Sequence, residues 1–309
     1  MDEYKITKCT PENVHNINIL FKEARSLIFS NDFYKKKNET FYTGTSYHSF
    51  IAFDVNDVPS AHCGCYATLI EINNKKEVAL QFADVITHPK HQKKGLFAAL
   101  GRAAEKYAIE KNINYLFAIP NEQSEPGFIR SLNWDISHQM NVYSFKVKGF
   151  PIAKIFAKLR LNSIYNYCWL LPITKIFKFK NLDLNWSSSE KNFIIKNKEY
   201  FNYKEYNSNF IVKYKSLVMF IKIEGGLYVG DVSINRNINA ISFLNEVKSF
   251  ARLIGQSNIR FEVTPGSHLD YLLNQNQEPL KGLNVTIKSI NKESSKFKLN
   301  ITAADYDTF

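Results

Sequence analysis

The residues best placed to do chemistry are His91-Gln92-Lys93-Lys94-Gly95, a cationic turn with one glycine that runs straight into the small and apolar pattern beginning Leu96-Phe97-Ala98. A helix that opens on such a turn leaves several backbone N–H groups unpaired and pointing outward together. Its dipole adds partial positive charge at the same place. The chemistry on offer is anion binding, with phosphate or pyrophosphate the natural guest. Gly95 would let the chain approach the anion closely, while Lys93 and Lys94 raise the local potential. A solvated turn ahead of an ordinary helix has the same composition, so the surrounding order must decide. Neither GxxxxGKS/T nor GxGxxG occurs, which excludes a P-loop and the dinucleotide fingerprint.

A second cluster is the pair Cys63 and Cys65, which alternation places on one face of a strand. A metal site would have to join them to His88 and His91, and zinc-type CxxC or HExxH spacing is missing, so no metal is expected. The four cysteines are too few and too irregular for a disulfide framework, and a reducing compartment is expected. The opening MDEYKITKC carries acidic residues and no apolar core of a leader, which predicts a cytoplasmic protein. No uncharged run approaches the ~18 residues of a membrane span. The net charge of +11 calls for an anionic partner: nucleic acid, a membrane surface or a phosphorylated small molecule.

The elements that would position these residues follow from periodicity. EYKITKC reads as a strand, and Pro11 to about Phe29 as a helix with Thr10 as N-cap. SFIAFDV, AHCGCYATLIEI and EVALQFADVIT read as strands. The helix after the cationic turn carries Leu96, Leu100, Ala104 and Tyr107 on one face. YLFAIP is a short buried strand, EPGFIRSLNW a short helix and SHQMNVYSFKV a closing strand, an order that predicts a mixed α/β sheet. From Ile136 to Leu182 no acidic residue occurs, and the stretch is aromatic and basic. It can be read as a membrane-surface helix. Because Pro151 and Pro172 should break a long amphipathic helix, a linker with its apolar face packed between domains is the preferred reading. Further on, GLYVGDVSI echoes ALQFADVIT, with Asp231-Val232 in register with Asp84-Val85, and the strand, helix, strand, helix order repeats. The repeat has NRNINA where the first half has the cationic glycine turn.

A strand ending in THP, then HQKKGLF opening a helix, then a strand ending in IPN followed by SEPGFIRSLNW, resembles the GNAT superfamily of acyl-CoA-dependent N-acyltransferases. The resemblance covers residues 1–148. It implies a mixed, largely antiparallel α/β (α+β) sheet with flanking helices, followed here by a second, degenerate GNAT-like half. It also implies a division into 1–148 as the acyl-CoA-binding catalytic domain, 149–190 as a basic aromatic linker and 191–309 as a domain completing the acceptor site. The family's Q/R-x-x-G-x-G/A loop corresponds to Gln92, Lys93, Lys94, Gly95, Leu96 and Phe97, with Ala98 next; Phe97 departs from the Gly or Ala of the pattern. Val85, Ile86 and Thr87 match the strand segment whose backbone groups hold the pantetheine arm and the oxyanion. Asn121 and Ser124 are further CoA contacts. Phe128 stands where many members have the tyrosine that protonates the departing thiolate. For the proton lost by the attacking ammonium, Asp84 is the first candidate and His88 the second.

Among longer members, the same core followed by a GNAT-like half resembles enzymes that acylate dTDP- or UDP-linked amino deoxy sugars for surface polysaccharides. The implied donor is acetyl-CoA or another acyl-CoA, without a metal. Arg260 and His268, in the segment RFEVTPGSH, would face an acceptor phosphate. Two rivals stand beside this reading: an aminoacyl-tRNA-dependent peptidyl transferase, and a non-catalytic module that binds acyl-CoA or an anionic membrane.

Overall fold

The computed structural model describes residues 3–30, 32–179, 186, 191–234, 238–290 and 297–309. In chain order the first half runs β1 (Lys5–Lys8), α1 (His15–Arg25), α2 (Phe33–Asn38), β2 (Phe50–Phe53), β3 (Pro59–Ile72), β4 (Lys75–Thr87), α3 (Leu96–Glu110), β5 (Tyr115–Ala118) and β6 (Asp135–Lys146). There follow α4 (Ile152–Lys158), α5 (Asn162–Tyr165), α6 (Leu171–Ile176), β7 (Phe193–Ile194) and α7 (Lys198–Lys204). The remainder is β8 (Phe210–Tyr214), β9 (Leu217–Ile223), β10 (Leu227–Ser233), α8 (Ala240–Leu253), β11 (Asn258–Val263), α9 (His268–Asn274) and β12 (Leu280–Ser289). The chain has the expected fold class, a mixed, largely antiparallel sheet with flanking helices.

Two compact units emerge, and they do not follow the division at 148 and 190. One holds Met1–His138, Lys191–Ile195 and Leu283–Leu299; the other holds Gln139–Glu190, Lys196–Gly282 and Asn300–Phe309. In the first unit, β1 to β4 pair antiparallel in order, β4 and β5 run parallel, and β12 closes on β5 antiparallel with Thr286 opposite Ala118. The second unit repeats the pattern: β8, β9 and β10 antiparallel, β10 and β11 parallel, and β6 closing on β11 with Ser144 opposite Arg260. The closing strands have thus changed places along the chain. Composition carries no signal of such an exchange, because either strand meets the same pleat and the same apolar alternation.

Alternation along the strands feeds two core layers in the first unit. Ile51 and Ile86 pack with Ile17, Leu20 and Phe21 of α1, whereas Phe50, Ala52 and Phe82 pack with Leu96, Leu100 and Ala104 of α3. The face predicted for α3 is therefore the buried one, with Tyr107 partly buried beside it. Cys63 and Cys65 lie in that same apolar layer. The first helix begins at His15 rather than Pro11. Asn13 Oδ1 accepts the Thr10 N–H, and the residues between form turns, so Thr10 does not cap the helix.

The basic aromatic stretch is part of the second unit and not a separate linker. Tyr165 and Leu170 are buried in its core, and Ile152, Phe156, Ile173 and Phe177 pack against it. Nor do its prolines end the helices. Pro151 precedes α4, and Pro172 sits within a continuous helical run, where a π-turn over Asn166–Leu170 joins α5 to α6. The widened turn ahead of Pro172 gives its ring room and removes the need for its missing N–H.

Candidate active site

In the first unit, β4 and β5 pair from Ala79↔Tyr115 to Phe82↔Ala118, where β5 ends while β4 continues to Thr87. Because the two strands are parallel, the loops that follow them leave from the same edge of the sheet. Those loops are the cationic turn before α3 and the Asn121–Ser124 turn. The parting of β4 from β5 is accompanied by a β-bulge on the other side. His62 pairs with Ile86 and Gly64 with Ala83, so Asp84 and Val85 together oppose Cys63, with Asp84 in the left-handed region at φ 47°. Past the bulge, Ile86 points into the α1 layer and Val85 against the α3 layer, with Thr87 half-buried at the strand end.

At the cationic turn, Pro89–His91 form one tight 3₁₀ turn, Gln92 is extended, and Lys93 and Gly95 both take left-handed backbone angles, φ 62° and 77°. Gly95 is the N-cap of α3, and no side chain caps it. The first helical bond runs from the Ala99 N–H to the Gly95 carbonyl, so the amides of Leu96, Phe97 and Ala98 open the helix without intrahelical acceptors. A Cβ placed on Gly95 would meet nothing within 4 Å. Lys93 and Lys94 are exposed beside it, with Lys94 Nζ 5.7 Å above the Tyr4 ring. Here are uncapped amides, a helix dipole, two cations and open space over a glycine, and a pyrophosphate fits that set.

Phe97, the departure from the family pattern, does not obstruct this cradle. Its ring lies over Gly127, whose absent Cβ would stand 2.6 Å from Phe97 Cε1. Phe128 is buried, edge-to-face with Phe97 at 5.3 Å and packed on Trp134 at 5.0 Å. It is a core side chain with no polar atom, and its burial takes it out of the set of cofactor contacts expected from the sequence. Asn121 Oδ1 accepts the Gln123 and Ser124 N–H groups at 3.1 and 3.0 Å, and Ser124 Oγ donates to the same oxygen at 3.0 Å. Those bonds start the turn that leads to a one-turn π-helix over Gly127–Ser131, and they leave the Asn121 Nδ2 hydrogens for a ligand.

Asp84 is tightly held. Lys37 Nζ donates to its Oδ2 at 2.6 Å and Tyr66 OH to the same atom at 2.5 Å, while His62 Nδ1 lies 2.9 Å from its carbonyl oxygen. A carbonyl can only accept, so Nδ1 of His62 carries the proton, and Nε2 is left buried without a hydrogen-bond partner. Burial pushes the pKa of that ring down to about 4, with nearby Lys37 acting in the same direction. Lys37 and Tyr66 are themselves buried. Sequence reading missed all three partners: Lys37 lies in a run of lysines that looks solvated, and only the folding of α2 onto the strands separates it from its neighbours. His88 accepts the Lys90 N–H through Nδ1 at 3.2 Å, and its Nε2 faces Glu23 Oε2 at 3.5 Å. His91 meets Tyr4 OH through Nδ1 at 2.9 Å.

The second unit serves as an internal comparison. Its β10 also carries a bulge, with Gly230 the extra residue between Val229 and Asp231, and the carboxylate of Asp231 again meets a buried lysine, Lys196, at 2.6 Å. Asp305 Oδ2 and Thr302 Oγ1 complete the shell of Lys196 at 2.9 and 3.0 Å. The parallel register sets Leu227 opposite Ile259 as Leu80 is set opposite Leu116, so Arg260 corresponds to Phe117 of the first unit. Beyond Val229↔Phe261, where the pairing of β10 and β11 ends, the space beside them is occupied by the chain itself. Thr302 bridges to Val263, and the Phe309 ring fills the space where a Gly230 side chain would stand. Residues 235–237 of the NRNINA turn lie outside the described residues, but α8 begins at a filled cap, with Asn239 Oδ1 accepting the Ser242 N–H at 2.8 Å. Arg260 donates to Glu262 Oε1 through Nε at 2.8 Å, lies 5.7 Å above the Tyr228 ring and is 57% exposed; His268 is the exposed first residue of α9.

Residues 8–137 match the family described as "Acetyltransferase (GNAT) domain". No curated protein matches the chain. Among solved structures, the GCN5-related N-acetyltransferase of Kribbella flavida is similar at a TM-score of 0.57 and 11% identity, over 93% of this chain and 72% of that one. A GCN5-related N-acetyltransferase from Anabaena variabilis gives 0.56 and 11%, over 93% and 73%. N-myristoyltransferase of Saccharomyces cerevisiae, solved with bound myristoyl-CoA, gives 0.57 and 9%, over 96% and 87%. At such identities the likeness is one of fold. Motif, register and fold agree that this chain carries, at residues 8–137, the GNAT domain of an acyl-CoA-dependent N-acyltransferase.

Proposed function

We propose that the chain transfers an acyl group from acetyl-CoA or another acyl-CoA to the primary amine of a dTDP- or UDP-linked amino deoxy sugar, as a cytoplasmic step toward a surface polysaccharide. The observation that carries the donor half is the uncapped α3 N-terminus with open space over Gly95. In this reading the amides of Leu96 to Ala98 and the ammonium groups of Lys93 and Lys94 bind the pyrophosphate, Asn121 Nδ2 and Ser124 hold the arm, and Val85 to Thr87 line the thioester with backbone groups. Those amides are fixed before the reaction, so they stabilise the developing oxyanion without reorganising. The amine nitrogen bonds to the thioester carbon, the C–S bond breaks, and the ammonium proton leaves as the thiolate departs. A CoA thiolate is a good leaving group, so a buried Phe128 in place of a tyrosine is tolerable.

For Asp84 we assign positioning rather than proton transfer. Its Oδ2 already accepts from an ammonium and a phenol, and a lysine–aspartate pair recurs beside the bulge of the second unit, whose helix is capped. Asp84 and Lys37 then hold the bulge that turns the Val85–Thr87 amides toward the gap. Both nitrogens of His88 face partners too, and the proton leaves through water. The nucleotide-linked acceptor is supported by the net charge of +11, which suits two phosphorylated ligands, and by exposed Arg260.

Free-thiol release from acetyl-CoA, measured with dTDP- and UDP-linked amino sugars and with simple amines, tests both halves. Release that depends on the nucleotide-linked amine is expected. Acylation of simple amines alone would overturn the acceptor, and failure to bind CoA would overturn the donor site.

A further inference from the structure

Seven of the nineteen exposed large apolar side chains of the described residues fall within 27 positions of the second unit: Phe150, Leu159, Leu161, Ile164, Tyr167, Trp169 and Ile176. Phe150, Tyr167 and Ile176 are each about three-quarters exposed, at 76%, 73% and 75%. Such crowding of apolar surface on a soluble fold marks an interaction site. The helices that display it are fastened down. Tyr165 OH donates to the Ile254 carbonyl at 2.7 Å and accepts from Gln256 Nε2 at 2.7 Å, and the Trp169 indole donates to the Leu253 carbonyl at 3.1 Å. Buried Tyr165 and Leu170 face the core, while Ile164, Tyr167 and Ile176 face out.

The charge of the same surface selects its partner. No Asp or Glu occurs from Ile136 to Leu182. Lys154, Lys158, Arg160, Lys175 and Lys178 are exposed, and among the described residues none of the five forms an ion pair. A second copy of the chain docking face to face would bring these cations against one another. Nucleic acid would neutralise the cations but has no use for Leu159, Ile164 and Ile176. A bilayer with anionic headgroups takes both: cations settle among phosphates while aliphatic and aromatic side chains enter the headgroup and acyl boundary, with Trp and Tyr at the level where their amphipathic rings are favoured.

We propose that the surface of α4, α5 and α6, from Phe150 to Lys178, docks this protein reversibly on an anionic lipid bilayer. The proposal is independent of the acyl acceptor.

Cosedimentation of the full chain with vesicles of phosphatidylcholine alone, and of equal parts phosphatidylcholine and phosphatidylglycerol, provides the test. Binding to the anionic vesicles only, weakened by salt, is expected. Lys158→Glu with Arg160→Glu should lower the partition coefficient by at least roughly fivefold per cation removed. Ile164→Ser with Tyr167→Ser alters only exposed side chains, and it should abolish sedimentation while leaving CoA affinity and melting temperature unchanged. Failure of the intact, folded protein to bind anionic vesicles would overturn the proposal, as would equal binding to neutral vesicles. So would retention on RNA without vesicle binding, or a dimer that Ile164→Ser dissociates.

Discussion

Replacing Lys37 by Met removes the cation facing Asp84 while keeping an unbranched side chain of similar length. The Lys37 side chain is 2% exposed and that of Asp84 is 12%, so solvent screens the pair little and cannot replace the lost partner. Breaking a buried pair from one side costs about 3–5 kcal/mol, because the remaining carboxylate stays desolvated. For a chain of this size that lowers the melting temperature by on the order of 10 °C. Adding Asp84→Asn removes the stranded charge and should restore most of the loss, and Tyr66→Phe alone should cost about 1.5–3 kcal/mol, the worth of a hydrogen bond to a charged group. Calorimetry on the singles and the double gives the coupling directly. Kinetics then separate positioning from proton transfer. If the pair holds the bulge, Lys37→Met and Asp84→Asn lower kcat/KM by similar factors, the double is no worse than either, and the acidic limb of the pH–rate profile stays where it is. If Asp84 were the general base, Asp84→Asn would cost about 10²–10⁴-fold in kcat and erase that limb. An Asp84→Asn variant with unchanged melting temperature and a lost acidic limb would refute the reasoning. Asp231→Asn is the internal control: Lys196 keeps its pair with Asp305, so the variant should destabilise less, while leaving the turnover of the folded protein intact.

Gly95→Val should weaken CoA binding at least tenfold, since its side chain would enter the open space over the turn and its backbone cannot hold φ 77° without strain. Calorimetric titration of a folded variant checks this, and unchanged affinity would remove the cradle from the donor site. The space beside β10 and β11 is filled by Thr302 and Phe309 and the helix of that unit is capped by Asn239, so titration should give one CoA per chain. Two sites of similar affinity would contradict the assignment. Buried His48 and His62 and half-buried His138, each held down to about 4, refuse a proton that the unfolded rings accept below pH 6.5. Their stability contribution is complete above that pH and is lost as pH falls toward 4, with His62 alone accounting for on the order of 3 kcal/mol. Urea midpoints measured from pH 7 to pH 4 on the wild type and His62→Gln should therefore converge at the acid end; parallel curves would show that His62 is not the titrating group.

Much of the donor site was legible because it is local. A glycine turn, a strand before it and an apolar helix after it lie within some twenty residues of chain, and periodicity alone assigns Leu96, Leu100 and Ala104 to the core. The repeat of Asp84-Val85 in Asp231-Val232 is likewise local, and the bulges stand where that echo places the aspartates. What surrounds those aspartates was decided by tertiary structure. Lys37 and Lys196 reach them from helices and loops far along the chain, and nothing in a run of lysines says which one will be buried. Compensation at Phe97 is of the same kind: Gly127, thirty residues on, makes the room that turns the ring away from the cradle. The closing strands show the limit most clearly. Alternation identifies β6 and β12 as strands but not their partners, since hydrogen bonds to β5 or β11 satisfy either backbone equally. A fragment ending at 148 would leave β5 without its antiparallel neighbour, although nothing in residues 1–148 announces the lack. Sequence specified the elements and the local chemistry because those depend on neighbours in the chain; pairing, burial and charge compensation depend on neighbours in space.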